Sequence, residues 1–70
     1  MQLSARNQFP GTVVHIKKGV VTAEVVVRIA GGHEIVSVIT MSSVKALGLK
    51  KGAKVTAVVK STEVMLGVDH

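Results

Sequence analysis

Val20-Val21-Thr22-Ala23-Glu24-Val25-Val26-Val27-Arg28-Ile29 is the stretch on which the fold turns. In an extended chain Val21, Ala23, Val25, Val27 and Ile29 fall on one face, with Thr22, Glu24 and Arg28 on the other beside Val20 and Val26. Branching at Cβ restricts χ1 and favours extended backbone, so a run this rich in Val reads as a strand. Lys17-Lys18-Gly19 turns the chain before it, and Ala30-Gly31-Gly32-His33 turns it afterwards. Upstream, Thr12 to Lys17 also alternates, with Thr12, Val14 and Ile16 on one face and Val13, His15 and Lys17 on the other. Downstream, Glu34 to Met41 carries Ile-Val-Ser-Val-Ile and is apolar on both faces. A short antiparallel strand normally keeps one wet face, so this one is expected to be covered on both sides. A neighbouring copy of the chain is the expected second cover.

Past Met41 the period changes. Ser42 or Ser43 can cap a helix, Val44 and Leu47 fall at helical spacing, and Gly48 is a natural C-terminal stop. Ser42 to Leu49 is therefore a helix of one or two turns. Lys50-Lys51-Gly52 then turns into Lys54 to Lys60, where Val55, Ala57 and Val59 share a face. Val64 to Val68 gives a last short strand before the polar Asp69-His70 end. No internal repeat, linker or low-complexity segment interrupts the series, so residues 1–70 read as a single domain. The order fits an all-β fold: a small five-stranded OB-like barrel with one short helix, its closure removing sheet edges.

Seventy residues alone bury only a modest share of their surface. Yet 47% of the chain is hydrophobic, more than one small core can use. Without cysteines no disulfide or thiolate site stabilises it, which leaves oligomerisation as the means of gaining buried area. Met1-Gln2-Leu3-Ser4-Ala5-Arg6 lacks the basic leader and apolar run of a signal peptide, and no apolar stretch approaches a membrane span. The expectation is a cytoplasmic protein without a membrane partner.

Nine Lys plus Arg stand against four Asp plus Glu, a net charge of +5 that suits an anionic partner. Phe9 is the only aromatic residue, so bases would find no platform on which to stack, and nucleic acid is the less suited anion. Catalysis fares no better. His15, His33 and His70 are widely spaced, and Glu24, Glu34, Glu63 and Asp69 show no paired spacing. No phosphate loop is present, and Gly31-Gly32 alone is turn chemistry. No enzyme activity, bare-cation metal site or catalytic cofactor is expected.

Two stretches instead concentrate hydrogen-bond donors. Ser4-Ala5-Arg6-Asn7-Gln8 places a hydroxyl, a guanidinium and two amides together without a carboxylate. Lys60-Ser61-Thr62 repeats the chemistry near the other end. Charge and donors supplied together suit an anion. Lying at opposite ends of the sequence, the two patches are expected to converge across copies of the chain. Read singly, Arg6 and Lys60 could equally be solubilising charges, and each Ser a turn former or helix cap.

The wider pattern resembles a Mop domain, the unit of the molbindin family. The resemblance rests on Ser4-Ala5-Arg6-Asn7-Gln8 with Gly11 and Val13, then Thr22-Ala23-Glu24 and Gly31-Gly32. It continues through Ser43-Val44, Leu47-Gly48-Leu49, Val58-Val59-Lys60-Ser61-Thr62 and Val64-Met65. It implies an OB-like barrel that binds molybdate or tungstate, and a homo-oligomer, a hexamer built as a trimer of dimers. It implies a site between subunits made by Ser4, Ala5 through its backbone N–H, Arg6, Ser43, Lys60 and Ser61. A second site near a threefold axis is placed at Lys18, Gly19, Val20 and Thr22, where a plain hairpin turn is the equal alternative. Molybdate is a tetrahedral dianion without a proton at neutral pH, so a pocket made only of donors suits it. Hydrogen phosphate would leave its O–H unpaired there. Sulfate can be rejected only by a rigid cavity too wide for its shorter bonds, and tungstate hardly at all. The rival readings are a basic OB-type nucleic-acid-binding protein and a purely structural oligomerisation module.

Overall fold

The computed structural model describes residues 3–69, so expectations placed on Met1, Gln2 and His70 fall outside it. Strand β1 spans Asn7–Lys18, β2 Thr22–Ile29, β3 Glu34–Thr40 and β4 Lys54–Val59, with helix α1 at Met41–Leu47. They form an antiparallel sheet in the order β3-β2-β1-β4. Residue Gly11 onward in β1 pairs with β2, from Gly11 opposite Ile29 to Lys18 opposite Ala23. The first half of β1 pairs with β4, from Asn7 opposite Val59 to Thr12 opposite Lys54. One long strand thus carries both halves of a curled, open half-barrel.

β1 begins at Asn7 rather than at Thr12, because Pro10 does not break it. Pro10 is paired with Thr56 of β4, while pairing with β2 starts only at Gly11, so its missing N–H falls where β2 makes no demand on it. The alternation expected from Thr12 to Lys17 also fails. The register slips between Val13 and His15, and Val14 is the extra residue of a bulge. Val13, 1% exposed, and Ile16 consequently both face the core.

That core is Val13, Ala23, Val25 and Val27 from the sheet, closed by Val44 of α1. Ile16, Ile29, Ile39, Met41, Leu49, Ala53 and Val55 pack around it. The helix cap is Thr40 rather than Ser42 or Ser43: its hydroxyl accepts the Ser43 N–H at 3.1 Å. Gly48 ends the helix in the left-handed region at φ 64°, its N–H reaching the carbonyls of Lys45 and Val44. A Cβ there has room but the wrong backbone, so Gly48→Ala is expected to cost about 1 kcal/mol of unfolding free energy in urea titrations.

The fifth strand is absent, which corrects the barrel's strand count to four. Val64–Val68 has strand-forming residues but no partner within its own chain among the described residues. Met65 and Leu66 stand 93% and 94% exposed. An apolar cleft of about 280 Å³ remains between the two outer strands, lined by Ile35 and Ile39 of β3, Val55, Ala57 and Val59 of β4, and Leu47. On the opposite face of β3, Val36 and Val38 are 60% and 68% exposed, so within one chain its second side is uncovered.

Candidate oxyanion site

Asn7 and Val59 are the last paired residues of the β1–β4 ladder, so Arg6 and Lys60, the next residues along the chain, leave it at the same end. Ser4 and Ala5 lead into that end, and Ser61 leaves from it on the Ser61–Glu63 turn. The two donor-rich stretches, distant in sequence, therefore already meet within one chain. The expectation that they need a second copy to converge is corrected, because β1 and β4 are antiparallel neighbours. Ser4, Arg6, Lys60 and Ser61 are exposed and Ala5 is half-buried. Among the described residues the ion pair is Arg28–Glu34 at 2.8 Å, which leaves Arg6 and Lys60 unneutralised by a carboxylate.

Ser43 is elsewhere. Thr40, which caps its helix, pairs with Thr22, and the Met41 N–H reaches the Val21 carbonyl at 2.8 Å. That is the end of the sheet where β1 finishes at Lys18, not the end where it begins. Ser43 also has its polar groups engaged: its N–H goes to Thr40 Oγ1, and its Oγ accepts from the same hydroxyl at 2.8 Å. Within one chain Ser43 thus neighbours the Lys18–Thr22 turn proposed as the second site. An arrangement of Ser43 with Arg6 and Lys60 requires a second copy.

The Lys18–Thr22 turn is a closed hairpin connection. The Gly19 N–H donates to the Thr22 carbonyl at 2.9 Å, and a Cβ on Gly19 would lie 2.7 Å from that oxygen. Val20 is 98% exposed, an apolar side chain aimed into solvent. Lys18, Val20 and Thr22 are all at the surface, with no enclosure around them in a single chain.

One contact within the donor-rich stretch was not foreseen from the sequence. Gln8 donates from Nε2 to the Ala5 carbonyl at 2.6 Å. Its place in the donor-rich stretch marked it as a donor, but not as one directed at its own backbone. Among the described residues no cluster of His, Asp and Glu could hold a metal ion, and no helix is long and apolar enough to cross a membrane.

Known proteins share this fold and much of this sequence. The family model described as TOBE domain matches residues 3–66. "Molybdenum-pterin-binding protein 2" of Clostridium pasteurianum is 64% identical over 66 residues, covering 94% of this chain and 97% of that protein. The solved structure of MopII from Clostridium pasteurianum superposes with a TM-score of 0.92 at 61% identity, over 96% of this chain and all of that one. ModG, described as a cytoplasmic molybdate-binding protein and solved with molybdate bound, superposes with a TM-score of 0.94 at 49% identity. That match covers 99% of this chain and 49% of ModG. With the matched span running almost end to end and the Mop-type relatives this similar, the chain belongs to the TOBE domain family, among its molybdenum-pterin-binding (Mop) proteins.

Proposed function

We propose that this protein binds molybdate, and tungstate with little discrimination, between copies of itself and serves as a cytoplasmic store for the oxyanion. The observation that carries the reading is that the β1–β4 ladder ends at Asn7 opposite Val59, which brings the adjoining Arg6 and Lys60 to one end of the ribbon, and that among the described residues neither is in an ion pair. Ser4, the Ala5 N–H, Arg6, Lys60 and Ser61 supply donors from one chain, and Ser43 of another copy completes the cage. An unprotonated tetrahedral dianion accepts from every one of these groups and offers nothing that needs an acceptor. The turn at Lys18, Gly19, Val20 and Thr22 is the second, weaker site, formed where copies meet around a symmetry axis. The chemistry is binding alone, without a catalytic step.

The assembly is a homo-oligomer, a hexamer arranged as a trimer of dimers. Three surfaces support it: the open apolar cleft between β3 and β4, the exposed Val36 and Val38, and the Val64–Val68 segment, which has no partner among the described residues. Together they leave more apolar area in water than a small soluble chain keeps without a partner. A strand-forming segment without a partner beside a sheet with two open edges also fits exchange between copies.

Calorimetry with molybdate, alongside the mass in solution, tests the reading. Because the ligand binds only the assembled state, it stabilises that state by mass action, by about 2.7 kcal/mol at a hundredfold excess over Kd. A clear upward shift of the melting temperature with molybdate, and little shift with equimolar phosphate, is the expected result. A monomeric mass overturns the interface site. Tight single-stranded RNA or DNA binding without molybdate heat would instead favour a basic nucleic-acid binder.

A further inference from the structure

We infer that Gln8 is the positioning residue of the oxyanion site: its side-chain amide clamps the Ala5–Arg6 peptide so that the donors of the Ser4–Arg6 segment face outward together. The inference rests on the site proposed above. Ser4 to Arg6 lies before β1, outside the ladder that holds the rest of the ribbon. The tie found on it among the described residues is the 2.6 Å bond from Gln8 Nε2 to the Ala5 carbonyl. A trans peptide is planar, so fixing the direction of the Ala5 carbonyl also fixes the Arg6 N–H, which points the opposite way.

Gln8 is well placed to do this because it is itself held. It is half-buried in β1 and paired with Val58 on β4. That pair lies one rung inside Asn7 opposite Val59, the end of the ladder from which Arg6 and Lys60 leave. The clamp is thus anchored in the same two strands that bring Arg6 and Lys60 together. A segment just ahead of the first strand frays unless tied down. Without the clamp the ligand would have to order Ser4, Ala5 and Arg6 on binding, and that entropy cost weakens affinity. Asn at this position carries the same amide one methylene short, and a bond of 2.6 Å leaves no such slack.

The test uses Gln8→Met, which keeps the length and loses the donor, and Gln8→Asn, which keeps the donor and loses the reach. Both are expected to weaken molybdate about tenfold by calorimetry, the loss of roughly one hydrogen bond and its preorganisation. The unfolding transition of the ligand-free protein should stay in place, since Gln8 is outside the core. Backbone order parameters at Ala5 and Arg6 should fall from near 0.85 to below about 0.6, a change that a general loss of stability would not confine to these residues. In the Arg6→Ala background, Gln8→Met should add little, because the clamp acts through the segment that carries Arg6. Parent-like binding by Gln8→Met and Gln8→Asn, with Arg6→Ala weakened, overturns the clamp and leaves the site standing. Fully additive losses overturn it too, by giving Gln8 a role independent of Arg6. Parent-like binding by Arg6→Ala overturns the site itself, and the clamp with it.

Discussion

Replacing Arg6 and Lys60 together by alanine is expected to lower molybdate affinity at least a hundredfold while the assembly and its core remain intact. In the proposed site each residue would contribute a charge-assisted hydrogen bond to a doubly charged ligand, which corresponds to about tenfold or more per residue. The losses compound because both residues adjoin the same end of the β1–β4 ribbon, next to Asn7 and Val59. Both are exposed and lie outside the core cluster, so the core does not depend on them. Neither is part of an ion pair among the described residues, so their removal strands no buried carboxylate. Each single variant should show about a tenfold loss, and binding of the parent should weaken as ionic strength rises. A double variant that binds like the parent would show that the anion sits elsewhere.

The second large effect is on stability. Gly11→Ala is expected to cost about 2–3 kcal/mol in urea unfolding, near the upper end of what overpacking does. A Cβ on Gly11 would lie 2.5 Å from the Arg28 carbonyl oxygen, 2.8 Å from Val27 Cγ1 and 3.1 Å from Ile29 Cγ2. The first contact is backbone and cannot rotate away. Gly11 is paired on both sides, with Ile29 of β2 and Val55 of β4, so moving β1 off one neighbour strains its ladder with the other. The displacement would also travel toward Arg6 and Lys60, so molybdate affinity should fall along with stability. All comparisons need equal protein concentrations, since the stability of an oligomer depends on them. A Gly11→Ala curve that overlays the parent would mean that β1 and β2 are not packed as closely as this.

Some elements could be read directly. β2 alternates cleanly because its two sides meet different surroundings, and Ala23, Val25 and Val27 are indeed core. Gly48 signalled its helix end because few other residues adopt its backbone without strain. Elsewhere the local pattern was ambiguous. Val13 and Val14 have the same side chain, so nothing local shows which is the extra residue of the bulge. Thr40, Ser42 and Ser43 all bear hydroxyls, and the choice of Thr40 as cap follows from where β3 stops pairing with β2. Pro10 looks like a breaker in isolation, but it pairs with β4 alone, since the β2 register begins only at Gly11.

The chemistry of the site was legible as composition: donors without acids at Ser4–Gln8 and Lys60–Thr62, and too few aromatics for bases. Local preference decides such matters, along with the strand character of most of the chain and the surplus of apolar side chains. Only the tertiary structure decided that Arg6 and Lys60 adjoin the same end of one ribbon, that Ser43 sits at the far end of the sheet, and that Val64–Val68 has no partner among the described residues of its own chain. Those are outcomes of register and strand order, which depend on contacts between residues dozens of positions apart and leave no local periodicity to read.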